Sequence, residues 1–258
     1  MHYVMSDLHG NYDAYVAMLE KIKFSADDTL YVLGDVINRG PDGVPILLDI
    51  MERDNVVLLM GNHELMNLNP FEHLSLMEYD HNLDSEVIME VTEYTRIPFD
   101  SQTLFDFARL PLAEKKSLNE YLQGLPLYLE TEIGGQKYIM AHAGLNVDAR
   151  EYSSAEIEEG IPQWAREKSG SEAVFIYGDK AYSASRESLV WSRHDYNKEF
   201  FPDVKIITGH IVTRQVDPNS DGGIVRMNNN IAIDCGMGFR DGKLACLCLE
   251  TGEEFYTE

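Results

Sequence analysis

An α/β fold built on parallel strands is predicted by three features of this sequence. Short apolar runs rich in β-branched residues alternate with segments of helical period through the first 65 residues. Each run stops at a polar cluster next to glycine. Strands joined through helices also cross over right-handedly, which brings such stops to one edge of a sheet. Residues 3–5 read as a strand ending at Asp7. Tyr12, Val16, Leu19 and Ile22 follow at helical spacing, with Asn11 as N-cap. Residues 29–33 form the next strand, ending at Gly34-Asp35, and Val44, residues 46–48 and Ile50-Met51 form a second helix after Pro41. Residues 56–60 complete a β-α-β-α-β unit whose third strand stops before Gly61-Asn62. Ligands of open α/β sheets gather at such strand ends.

Further along, residues 65–125 read as a helical insertion, in which His73 and His81 are surface histidines. Residues 128–133 and 136–140 flank Gly134-Gly135 as a hairpin leading to His142. Residues 147–188 are polar and weakly patterned, the signature of surface structure and loops. Residues 205–208 and 231–234 are strands, and 243–249 is expected to pair back through Asp241-Gly242. No repeat or linker divides the chain, so residues 1–258 are expected to form one domain.

The 258 residues carry a net charge of −23, which repels nucleic acid phosphates and argues against a partner of that kind. No apolar stretch reaches the roughly 20 residues of a membrane span. The N-terminus lacks the basic and long apolar regions of a signal peptide, so a cytoplasmic address is expected. Cys235, Cys246 and Cys248 form neither a disulfide framework nor a zinc pattern. Cys246 and Cys248 alternate within a strand and share one face.

Five clusters carry chemistry: Asp7-Leu8-His9-Gly10, Gly34-Asp35 with Arg39-Gly40, Gly61-Asn62-His63-Glu64, His142, and Gly209-His210. Asp-x-His and Gly-Asp are common alone and Gly61-Asn62-His63-Glu64 is much rarer; all three in this order on successive strand ends are decisive. Asp7, His9, Asp35, Asn62, His142 and His210 supply the donors of a two-metal hydrolase, with His63 beside them. A mixed set of imidazole, carboxylate and amide oxygen suits Mn²⁺, with Fe or Zn²⁺ as alternatives, whereas Mg²⁺ prefers oxygen alone.

The order of these motifs and their flanking glycines resembles the calcineurin-like metallophosphoesterases, most closely the bacterial serine/threonine protein phosphatase branch. The resemblance is dense over residues 1–64 and thinner at His142 and residues 189–235. It implies a four-layer sandwich of two mixed β-sheets flanked by helices. Asp7, His9 and Asp35 then hold one divalent ion, and Asp35 bridges to a second completed by Asn62, His142 and His210. A water activated by the two ions attacks phosphorus in line. His63 serves as general acid with Asn38 beside it, and Arg39 binds phosphate oxygens. Residues 189–193 resemble the tryptophan-containing segment that approaches the site in these phosphatases. They make Arg193 a second phosphate-binding candidate, the alternative being a plain surface arginine beside a buried Trp191, with Arg186 a weaker candidate.

Two positions depart from the protein-phosphatase pattern. Asn38 replaces the aspartate that supports the catalytic histidine, and Met60 replaces an arginine. Asn38 can accept a hydrogen bond but contributes no charge, which favours substrates with good leaving groups. The leading expectation is a phosphomonoesterase acting on phosphorylated proteins or small phosphate esters. The alternative is a symmetrical dinucleoside tetraphosphate hydrolase, favoured by Asn38 and opposed by Glu64, where those enzymes usually carry aspartate. A phosphate-binding protein without turnover is a third.

Overall fold

The protein is described from a computed structural model that covers residues 1–76, 101–145, 148–150, 172–177 and 180–257. The opening alternation is observed as β1 (His2–Met5), α1 (Tyr12–Lys21), β2 (Thr29–Val32), α2 (Gly43–Met51), β3 (Val56–Leu58) and α3 (Asn62–Leu74). Two more helices follow, α4 (Ser101–Arg109) and α5 (Leu112–Gln123). Phe71 of α3 stacks on Phe107 of α4, with ring centroids 4.1 Å apart. Residues 77–100, His81 among them, lie outside the described residues.

The expected hairpin is β4 (Tyr128–Ile133) and β5 (Gln136–Ala141), paired from Tyr128 with Ala141 to Ile133 with Gln136. Next come β6 (Asp148–Arg150), β7 (Glu172–Tyr177), β8 (Lys180–Ser185), α6 (Arg186–Trp191), β9 (Val204–Thr208) and the one-turn α7 (Thr213–Val216). The chain closes with β10 (Val225–Met227), β11 (Asn230–Ala232), β12 (Leu244–Cys248) and β13 (Glu254–Thr257).

Two mixed sheets form the body, in the orders β13-β12-β1-β2-β3 and β10-β11-β9-β5-β4. Each holds a parallel trio: β1, β2 and β3 in one, β5, β9 and β11 in the other. The pleat sends alternate side chains to opposite faces. Val4, Tyr31, Leu33 and Leu247 of the first sheet therefore join Tyr138, Met140, Ile207 and Ile231 of the second in one apolar layer. Their neighbours Tyr3, Met5, Leu30, Val32, Cys246 and Cys248 face the other way and pack with helix residues such as Tyr15, Met18 and Leu47. Burying each large apolar side chain contributes about 1.5–3 kcal/mol, so this double coverage is the main stabilising term. It also explains why the strands read as continuous apolar runs rather than alternating ones.

Two expectations are corrected. Residues 231–234 and 243–249 do not form a hairpin: β11 lies in the second sheet, and β12 pairs antiparallel with β1 in the first. Only an isolated bridge between Gly236 and Lys243 links the two segments. The Asp241-Gly242 turn belongs to a connection that crosses from sheet to sheet. Within 147–188, expected to be surface structure and loops with no strand assigned, β6, β8 and β7 form a three-stranded antiparallel sheet. β6 is short and β8 is rich in Ala and Ser, residues of weak β preference, whereas β7 carries the β-prone run Val-Phe-Ile-Tyr, a local strand signal that was there to be read.

Candidate metal centre

All six parallel strands end at one place. Asp7 follows β1, Asp35 follows β2 and Asn62 follows β3; His142 follows β5, His210 follows β9 and Asp234 follows β11. Turning sharply there needs unusual backbone. Ten described residues other than glycine have positive φ, and six of them are Asp7, His9, Asp35, Asn38, Arg39 and His210. Such conformations cost on the order of 1–3 kcal/mol each and concentrate where function demands a particular side-chain direction. Packing at the edge is equally tight: a Cβ on Gly209 would collide with the Ser6 hydroxyl and the Asp7 carboxylate.

Asp35 occupies the middle. Its Oδ1 accepts the His63 backbone N–H at 3.0 Å, at the start of α3, where the helix dipole favours an anion. The same oxygen lies 3.3 Å from His142 Nε2, while Oδ2 lies 3.8 Å from both His9 Nε2 and His63 Nε2. Two donor groups thus share this one carboxylate: His9, Asp35 and His63, and Asp35, His142 and His210. Asp7 Oδ1 lies 3.8 Å from His9 Nε2, and its Oδ2 accepts from the His210 backbone N–H at 3.0 Å and from the Ser6 hydroxyl.

Several atoms here want a cation. His142 Nδ1 lies 2.8 Å from the Leu33 carbonyl. In the tautomer that donates this bond, the Nε2 lone pair faces Asn62 Oδ1 at 2.9 Å and Asp35 Oδ1. Three acceptors then converge with no proton between them. His9 Nε2 is buried without a hydrogen-bond partner, its Nδ1 lying 3.2 Å from the Ile37 carbonyl. Burial, with Asp7 and Glu64 close by, pushes the Asp35 carboxyl well above the usual carboxylate range. Burial also raises Asp7, but His142, His9 and the bonds from Ser6 and His210 outweigh it and leave Asp7 lowered. Burial, aided by neighbouring cationic groups, pushes His9 down to about 4, His63 to about 3 and His210 to about 4. Neutral imidazoles beside crowded carboxylates are a donor set that fits two divalent ions.

The shell around these donors holds residues to which the sequence expectation gave no ligand, acid or phosphate-binding role. Glu64 is fully buried and gathers backbone N–H groups from Asp35 (2.7 Å), Val36 (2.9 Å), Ile37 (3.3 Å) and Gly61 (3.0 Å). It locks the turn carrying Asp35 to the turn carrying Asn62. Asp234, buried and pushed well above its usual range by burial and Asp7, accepts from Gly236 N–H at 2.8 Å. Its position two residues beyond an apolar strand was the available signal. His194 is buried, accepts the Leu145 N–H at Nδ1 (3.3 Å) and lies 2.9 Å from Asn230 Oδ1, bracing the turn after His142. Nothing in its local sequence marks it.

The remaining candidates divide. Asn38 is fully buried, yet neither amide atom has a hydrogen-bond partner, and His63 Nδ1 has none either. Asn38, which could accept a hydrogen bond, makes none to His63 among the described residues; its backbone N–H donates to Thr103 Oγ1 at 3.2 Å. Arg39 is exposed and lies 4.4 Å over the Phe239 ring. Arg193 is exposed and donates to Gln215 Oε1 at 3.4 Å, a contact that does not tie it to the carboxylate–imidazole cluster. Trp191 is 44% exposed, unlike the buried ring of the surface-arginine alternative, because Leu189 and Val190 take the inward positions of its helix. No described helix is long and apolar enough to cross a membrane.

Comparison with known proteins places this geometry. The profile of the calcineurin-like phosphoesterases matches residues 3–214. A symmetrical bis(5'-nucleosyl)-tetraphosphatase of Acidovorax ebreus (strain TPSY) is 31% identical over 193 residues, covering 74% of this chain and 52% of that protein. One from Salmonella paratyphi C (strain RKS4594) is 33% identical over 148 residues, covering 55% and 43%. The chain thus spans about half the length of the curated relatives it matches. A crystal structure of a candidate diadenosine tetraphosphatase shares the fold, with a TM-score of 0.58 at 16% identity over 99% of this chain and 92% of that one.

Proposed function

The chain belongs to the calcineurin-like phosphoesterase family, a family of metal-dependent phosphoric ester hydrolases, and on that premise we propose that it cleaves a dinucleoside tetraphosphate symmetrically into two nucleoside diphosphates. The observation that carries the choice of substrate is Asn38. It is buried at the turn after Asp35, neutral, and unbonded to His63. No carboxylate at that position supports a histidine acid. A nucleoside diphosphate leaves with little need of a proton, whereas a serine alkoxide needs one. The tetraphosphatases found by comparison agree with this ranking, which places the dinucleotide above the phosphoprotein favoured by motif resemblance. Glu64 keeps the phosphoprotein reading as the second.

In this reading Asp7, His9 and Asp35 hold one divalent ion, and Asp35, Asn62, His142 and His210 hold the other, with Mn²⁺ the expected metal. When bound, the two ions clamp phosphoryl oxygens and lower the pKa of water. The residues do the rest. Arg39 donates to oxygens of the attacked phosphate as charge redistributes. The water oxygen bonds to one inner phosphorus, the central P–O bridge breaks, and its electron pair departs with the other nucleoside diphosphate. His63, at the start of α3 and kept neutral by its burial, would donate a hydrogen bond to that departing oxygen rather than transfer a proton to it.

The test is product analysis with Mn²⁺ present, offering diadenosine tetraphosphate, a phosphoserine peptide and a phosphotyrosine peptide at equal concentration. ADP as the sole product, with peptide turnover at least tenfold slower, is expected. AMP with ATP, or faster release of phosphate from either peptide, would overturn the assignment. Activity that survives exhaustive chelation would remove the metal from it.

A further inference from the structure

We propose that Trp191 and Phe239 are the two nucleobase platforms of the site, one beside each donor group; the inference rests on the dinucleotide reading above. Large hydrophobic side chains are seldom left in water here: among the described residues only Met1, Leu76, Trp191 and Phe239 are exposed. Both aromatic members of that set stand at the metal centre. The Trp191 ring lies edge-on to His210 at 6.4 Å between centroids, and His210 belongs to the donor group with His142. Phe239 stands at the opposite group. Its ring carries the Arg39 guanidinium, and the preceding Gly238 lies against His9, which groups with His63. A Cβ on Gly238 would come within 3.1 Å of His9 Cβ and 3.5 Å of Arg39 Cδ, in a backbone of φ +85°. Glycine at this point lets the crossing connection approach the metal donors and present the next side chain outward.

The two donor groups share Asp35, so a ring beside each is a ring beside each end of the shared centre. A tetraphosphate laid across both groups carries one base outward on either side. Stacking on an aromatic face suits a base of any identity. The Phe239 side also has room and charge. A cleft of about 200 Å³ opens there, lined by Val212, Arg214, Gln215, Phe239 and Arg240. This is smaller than the roughly 300–1,000 Å³ of pockets that enclose a whole small ligand, and suits one ring system rather than a dinucleotide. Two guanidinium groups in a chain of net charge −23 run against the overall field and favour an anionic, π-bearing guest.

The experiment measures KM for diadenosine tetraphosphate and Ki for inorganic tetraphosphate, which carries the phosphates without bases. Wild type, Trp191→Leu, Phe239→Leu and the aromatic-conserving Trp191→Phe and Phe239→Tyr are compared with Mn²⁺ present, after thermal melts establish that each folds. Each leucine variant should raise KM about tenfold while Ki moves by less than about twofold, and the aromatic variants should stay near wild type. Unchanged KM in both leucine variants would overturn the proposal. So would a Ki that rises in step with KM, which would make the rings supports for the phosphate site. A wild-type enzyme that makes no ADP from the dinucleotide removes the substrate assignment and this inference together, an outcome visible before any variant is made.

Discussion

The two sheets reach the metal centre by different routes. The first delivers Asp7, Asp35 and Asn62 from consecutive strands of one β-α-β-α-β unit, each within a few residues of a glycine. The second delivers His142, His210 and Asp234 from β5, β9 and β11, which are separated among the described residues by a small sheet, two helices and β10, the strand that pairs antiparallel with β11. The end geometry is the same: parallel strands, a sharp turn, a side chain aimed into a shared edge. The encoding is not. On the first edge the bracing is local, with Glu64 bonding turns 34–37 and 61 from within the same unit. On the second it is remote, with His194 supporting the turn at Leu145 and Asp234 receiving the Thr213 N–H at its carbonyl. Local encoding leaves motifs; remote encoding leaves single residues.

The comparison breaks first at the residue both edges share. Asp35→Ala should remove the oxygens that face His9 and His63 on one side and His142 on the other. Turnover should fall by roughly three decades, since two-ion charge stabilisation amounts to several kcal/mol. Metal analysis should show both equivalents weakened. Loss of one equivalent with under tenfold change in rate would show that Asp35 serves one group only.

Bracing can then be weighed edge against edge. Glu64→Gln keeps the shape but removes the charge that satisfies four backbone donors, and should lower Mn²⁺ affinity about 10–100-fold. A drop in unfolding free energy of about 1.5–3 kcal/mol should accompany it, from weakened charge-assisted bonds. Asp234→Asn, with one such bond, should cost nearer the lower end of the affinity range. Metal titration and chemical denaturation of both variants decide it: equal penalties would mean that the second edge is braced as heavily as the first.

The smallest effect concerns pH. Burial holds His194 below its ordinary value of 6.5, against the opposing pull of Asn230 and Asp195. The folded chain therefore binds this proton less readily than the unfolded chain. Stability is unaffected by His194 above pH 6.5 and declines as pH falls from 6.5 toward the lower folded value. Tm measured between pH 7.5 and 5 should fall less steeply in His194→Asn than in wild type. Parallel curves would place the acid sensitivity elsewhere.

Legibility follows the same division. The strands of the first unit are apolar on both faces and stop at glycine-flanked turns, so their ends and the residues on them could be read directly. His142 was found through its Gly134-Gly135 hairpin. The connection from Asp234 to Leu244 was misread because Asp241-Gly242 is a strong local hairpin signal, while the partner of β12 is β1, at the other end of the chain. That error hid Asp234 and the placement of Phe239. The exposure of Trp191 was not legible because Leu-Val-Trp reads as one apolar run, and only the packing of its helix shows which members face inward. Long-range pairing, not local preference, decided each of these.

The centre also lies on a seam. Among the described residues the two five-stranded sheets share no ladder of backbone bonds; an apolar layer joins their faces, with a few side-chain links such as the Tyr138 hydroxyl donating to the Leu249 carbonyl at 3.1 Å and Arg226 pairing with Glu254. At the metal centre further polar links cross between them: His142 to Leu33 and Asn62, and the His210 N–H to Asp7. Divalent ions held by donors from both sheets would act there as rivets, turning a greasy slip plane into a fixed joint. Removing them should loosen the molecule along that plane first, so hydrogen exchange after chelation should quicken at the C-terminal ends of β1, β2, β5 and β9 before it quickens in the outer helices. Catalytic loading and mechanical integrity would then be one property, and metal starvation would be felt as softness before it is felt as unfolding.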